Sequence, residues 1–154
     1  MIKGTVVGLR LNGVETNDDL LRYMADYLID RGTVKSTFKK AIIDREKIFS
    51  TGLNIGNYGI AIPHTDVEHV NESTIAIVTL ENPIVFKQMG DNIDTPVSIV
   101  CMLALKESHA HLEMLQKLME LFQDEHIIET IINLDDTEEN KEDVLTILRE
   151  KEII

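Results

Sequence analysis

The sequence predicts a single α/β domain, a β-sheet covered by α-helices, and three observations carry that reading. Helical periodicity occupies both ends of the chain, strand-like apolar runs occupy its middle, and a length of 154 residues suits one core. A chain of this size buries roughly 68–70% of the surface it exposes when unfolded. With 44% hydrophobic residues, it needs no disulfide or metal staple to complete its core.

The elements follow in order. Residues 5–11 read as a short strand. Thr16 caps a helix running to about residue 30, with Leu20, Leu21, Met24, Leu28 and Ile29 at helical spacing, and Gly32 ends it. A second helix places Phe38, Ala41, Ile42 and Ile48 on one face. At Gly52 the period changes. Gly52, Gly56 and Gly59 with Asn54 and Asn57 mark a loop, and Ile60-Ala61-Ile62 reads as a short buried strand. Residues 73–80 and 96–105 are strands, with a turn at Gly90-Asp91-Asn92 between them. Helical periodicity returns from about Ala110 with Leu112, Leu115, Leu118, Met119 and Phe122. Two further helices lie near residues 124–132 and 138–150. No internal repeat or low-complexity linker interrupts the chain.

Composition narrows the function. Acidic residues outnumber basic ones 27 to 15, for a formal charge of −12. Such a surface repels nucleic-acid phosphates and anionic lipid; it would suit a basic protein partner, but net charge reports on solubility before it reports on partners. Cys101 is the single cysteine and lies in an apolar run, where a thiol acts as a small hydrophobe. The longest apolar run, residues 99–105, falls far short of the ~20 residues that span a bilayer. Arg10 and Asn12 interrupt the N-terminal apolar stretch, against a signal peptide. A soluble, cytoplasmic protein is expected.

The chemistry concentrates in Gly59-Ile60-Ala61-Ile62-Pro63-His64-Thr65-Asp66. An apolar strand stops at Pro63, which removes a backbone donor and keeps Ile62 extended. His64 then sits just past the strand's carboxyl end, the edge where α/β sheets place ligands. A loop histidine that merely follows a strand would look the same. The types of His64, Asp66, His69 and His109 or His111 also suit Zn²⁺, although no His-Glu-x-x-His string is present.

Residues 60–65 resemble the phosphohistidine motif of enzyme IIA domains of the bacterial phosphoenolpyruvate-dependent sugar phosphotransferase system, fructose–mannitol branch. Asp44-Arg45-Glu46-Lys47 and Thr51-Gly52-Leu53 resemble that branch's helix end and loop, and His111-Leu112-Glu113-Met114-Leu115 its second histidine and following helix. The stretch between Arg45 and His64, with Ala104-Leu105-Lys106, is most similar to the galactitol-type members. The resemblance covers roughly residues 15–130.

It implies one IIA type-2 domain over residues 1–154, with a mixed, roughly five-stranded sheet flanked by helices. It also implies a phosphotransferase that takes a phosphoryl group from phospho-HPr on His64 and passes it to a cysteine of enzyme IIB. That transfer would serve uptake of galactitol or a related sugar, the membrane being reached only through the IIC transporter. No cofactor or metal is implied. Neutral imidazole, with an ordinary pKa of about 6.5, is a competent nucleophile. Arg45 would bind phosphoryl oxygens through its forked guanidinium, and His111 would be the second histidine, with His109 the alternative. Outside the resemblance, Arg45 reads as an exposed helix-end residue, and His69 and His126 as surface histidines. Thr65 would hydrogen-bond the phosphate or simply occupy a turn. A regulatory IIA-like phosphoprotein, signalling through protein–protein binding, is the other reading of the same motif.

Overall fold

Local capping signals set the first helix. The computed structural model, which describes residue 2 and residues 4–154, has a strand β1 (Val6–Leu11) followed by α1 (Asn17–Asp30). Thr16 is extended and its hydroxyl accepts from the Asp19 amide at 3.1 Å, while Asp18 and Asp19 sit favourably at the positive helix end. Gly32, at φ +75°, turns the chain out of the helix.

The second helix, α2 (Phe38–Ile48), differs from the sequence expectation in its register. Its inward stripe is Phe38, Ile42, Ile43 and Glu46, whereas Ile48 is 70% exposed. Ile48 lies six residues beyond Ile42, about 240° round the helix, so it cannot share that face.

The glycine-rich stretch expected as a loop is a hairpin instead. Strands β2 (Gly52–Asn54) and β3 (Gly59–Ala61) pair antiparallel, Gly52 with Ala61 and Asn54 with Gly59. Gly52 belongs to a strand because of a close backbone approach: a Cβ there would meet the Lys87 carbonyl oxygen at 2.6 Å. After a 3₁₀ turn (Val67–His69) come β4 (Thr74–Lys87) and β5 (Asp94–Ala104). β4 runs well past residue 80 because β5 pairs with it along its length. A shift in register between Thr79 and Ile84 accommodates Pro83, which has no amide to donate.

Helices α3 (Ser108–Phe122), α4 (Glu125–Ile132) and α5 (Glu138–Glu150) complete the chain. α3 begins two residues before Ala110 and buries Met114, Leu118, Leu121 and Phe122. Leu112, expected on its apolar face, is 65% exposed, and Met119 is also exposed.

The sheet order is β1-β4-β5-β3-β2. β1 lies parallel to β4 and β3 parallel to β5, while β4–β5 and β2–β3 are antiparallel. Alternation along β5 splits the core in two. Val100, Met102 and Ala104 pack beneath α1 and α2, and Ile99, Cys101 and Leu103 pack beneath α3, α4 and α5. Cys101 is fully buried, burial pushes its thiol up, and it acts as a small hydrophobe. Because β3 and β5 run parallel, their carboxyl ends meet at one edge of the sheet.

A candidate site at the carboxyl ends of β3 and β5

Pro63 and β5 together pin the segment after β3 that carries His64. The Leu103 amide donates to the Pro63 carbonyl at 2.9 Å, and His64 is bridged to Leu103. The imidazole is half-buried, with Nδ1 2.9 Å from the Ile62 carbonyl oxygen. That oxygen can only accept, so Nδ1 carries the hydrogen and the neutral ring presents its Nε2 lone pair. Burial holds the His64 pKa below its ordinary value; the Ile62 bond opposes this and the Arg45 guanidinium adds to it. The ring is therefore neutral at neutral pH.

His111 stands on the first turn of α3, its ring centroid 5.6 Å from that of His64 with the planes tilted by 36°. Its pKa is held down by burial, then by His64 and Arg45, against the Ser108 backbone and Asp66. Its Nε2 is buried and finds no hydrogen-bond partner among the described residues. A buried polar atom left unpaired is costly, and it suits a group that acquires its partner on binding.

Arg45 lies in the last turn of α2, its guanidinium carbon 5.0 Å from the Phe49 ring centroid. Among the described residues it makes no ion pair with a carboxylate within 4.0 Å, so its forked donors remain free for an anion. Arg45, His64 and His111 line one open cavity of about 370 Å³ with Thr65, Asp66, Val67, Glu68 and Ser108.

His109 lies outside this cavity: its side chain is 78% exposed and its Nε2 is 3.1 Å from the Glu107 carboxylate. Both histidines are on α3, and positions two apart on a helix point about 200° apart. His126 is exposed, and half-buried His69 bonds the Thr37 hydroxyl through Nδ1 at 2.8 Å. Thr65 is buried in the cavity wall. Among the described residues no three His, Cys, Asp or Glu side chains form a group that could hold a metal ion.

Sequence reasoning passed over Glu68, Ser108, Phe49 and Glu46. Only Glu46 carried a signal, as a carboxylate eight residues from Phe38 and four from Ile42 on the stripe that α2 buries. Chemically, the site offers an imidazole nucleophile, an unpaired guanidinium and a second imidazole around a space open to solvent. This set suits receiving an anionic group at Nε2.

The fold is shared with IIA proteins of sugar phosphotransferase systems. Mannitol IIA from Escherichia coli superposes with a TM-score of 0.73 at 23% identity, covering 92% of this chain and 94% of that one. The enzyme IIA of the Escherichia coli complex with phosphorylated mannitol enzyme IIB gives 0.70 at 20% identity, over 95% and 93%. At the level of sequence, residues 3–151 match the model of the family "Phosphoenolpyruvate-dependent sugar phosphotransferase system, EIIA 2", and the chain belongs to that family. The galactitol-specific EIIA component of Escherichia coli is 32% identical over 120 residues, 78% of this chain and 80% of that protein. Among the described residues, no helix is long and apolar enough to cross a membrane.

Proposed function

We propose that this chain is a cytoplasmic phosphocarrier that accepts a phosphoryl group from phospho-HPr on Nε2 of His64 and delivers it to a cysteine of enzyme IIB. The observation that carries the reading is the neutral His64 ring, its Nδ1 engaged by Ile62, sharing a cavity with an unpaired Arg45 and the orphaned Nε2 of His111. The His64 Nε2 lone pair attacks phosphorus as the bond to the donor imidazole breaks, and the donor leaves with that electron pair. The proton on His64 Nδ1 stays in place, hydrogen-bonded to the Ile62 carbonyl. Arg45 grips the equatorial oxygens, where charge gathers during transfer, and His111 supplies a second polar contact. In the onward step a thiolate of IIB attacks phosphorus and the His64 ring leaves as neutral imidazole. The 32% identity to a galactitol-specific component supports galactitol or a related sugar as the one served. Contact with the membrane would run through the IIC partner only.

Incubation with phosphoenolpyruvate, enzyme I and HPr tests this reading. Intact mass measured in alkali should show one acid-labile phosphoryl group, absent from His64→Ala and discharged by adding the cognate IIB. Phosphorylation of His64→Ala at the wild-type level would remove His64 as the acceptor.

A further inference from the structure

Among the described residues Glu46 is the one carboxylate buried in the core, only 6% exposed, on the stripe where α2 otherwise carries Phe38 and Ile42. A leucine there would complete the apolar face, whereas a buried carboxyl is costly: desolvation pushes it up to about 7. Its partner is Thr51, whose amide donates to Oε1 at 3.1 Å and whose hydroxyl lies 2.8 and 3.0 Å from the two carboxyl oxygens. The bonds then continue. The Thr51 carbonyl accepts from the Ile62 amide at 3.4 Å, and the Ile62 carbonyl accepts from His64 Nδ1 at 2.9 Å.

We propose that Glu46 is a positioning residue for His64, acting through Thr51 and the Ile62 peptide to hold the imidazole in the tautomer that exposes Nε2. The proposal rests on the reading of His64 as the phosphoryl acceptor. One turn of α2 would then carry two devices, Arg45 aimed into the cavity and Glu46 tying that turn to the segment that leads from β3 into His64. Neighbouring residues on a helix point about 100° apart, so the pair can serve the cavity and the core at once. An anchor that joins α2 to Thr51, just before β2, and to Ile62, just after β3, also fixes the spacing between guanidinium and imidazole, which a direct contact to either would not.

The test compares Glu46→Leu, Glu46→Gln and Thr51→Val with wild type. Nitrogen-15 NMR of the His64 ring at alkaline pH reads the tautomer, and rapid mixing with phospho-HPr reads transfer. Glu46→Leu should shift the ring toward a mixture of tautomers and slow transfer about tenfold or more, as expected for a displaced reacting group, with far-ultraviolet circular dichroism unchanged. Glu46→Gln, whose amide oxygen still accepts from Thr51, should recover most of both losses. Thr51→Val, which removes only the hydroxyl, should move both readouts in the same direction by less. Wild-type tautomer and rate in Glu46→Leu would reduce Glu46 to a structural residue. If that variant does not fold, the same wild-type result in Thr51→Val overturns the proposal. Failure of the acceptor reading looks different: wild-type protein would take no phosphoryl group on His64, and the tautomer measurement would still decide the role of Glu46.

Discussion

Replacing Gly59 with alanine would drive a methyl group into the backbone of β5. A Cβ at this position lies 2.0 Å from the Pro96 carbonyl oxygen, 2.9 Å from its carbon and 3.3 Å from the Val97 Cα. All three atoms are main chain, so no side chain can swing aside, and ordinary contact requires the strands to part by more than an ångström. β3 is only three residues long and holds its place through the Ile60–Ile99 and Ala61–Val100 pairs. Overpacking generally costs 1–3 kcal/mol, and an immovable neighbour puts this case near the top, at about 3 kcal/mol. For a domain of this size that corresponds to a fall in Tm of roughly 6–12 °C. Because His64 lies three residues past the end of this strand, a shift of this size should also slow phosphoryl transfer by about 10²-fold. Thermal melts by circular dichroism and rapid-mixing transfer measure the two effects. Gly8→Ala is the control, since its Cβ would sit 3.4 Å from a Val78 methyl, and a change within about 1 kcal/mol is expected. A Tm for Gly59→Ala within about 2 °C of wild type would refute the steric argument.

Three further outcomes follow from the cavity and the core beneath it. Arg45→Gln should slow transfer by about 10²–10³-fold with the fold intact, and Arg45→Lys should recover only part, because an ammonium lacks the fork; an unchanged rate would place Arg45 among solvated surface residues. His111→Ala should leave His64 phosphorylatable but slow at least one transfer step, while His109→Ala, altered outside the cavity, should behave nearly as wild type; the reverse pattern would exchange their roles. Glu46, raised from 4.5 to about 7 by burial, keeps its proton in the folded state where the unfolded chain has lost it. Its contribution to stability is thus full below about 4.5 and lost as pH rises through about 7. Glu46→Gln, in a cavity also lined by Asp18, Lys47 and Lys87, should gain on wild type by up to about 3 kcal/mol across that window. Urea melts at several pH values measure the gap, and a constant gap would show that this carboxyl does not titrate there.

Local signals were legible wherever local chemistry sets the outcome. Thr16 and Gly32 delimit α1 through bonds and dihedrals made within a few residues, and the helix expected at residues 138–150 has those bounds. Pro63 before His64 marked the end of a strand for the same reason. Elsewhere the deciding partner is remote. Gly52 and Gly59 look like loop residues until β4 and β5 approach them, and β4 extends past Pro83 because β5 supplies the pairing.

By itself the sequence determined the α/β class, the family resemblance and the residue types of the site, all carried by short-range patterns. Only the tertiary structure decided which histidine of α3 stands beside His64, since that depends on where the helix begins and which face it turns to the sheet. It also decided that Ile48 and Leu112 face water while Glu46 is buried. A periodicity leaves a helix free to rotate by a residue or two about its axis. The sheet removes that freedom, because only one rotation satisfies its packing and its hydrogen bonds together.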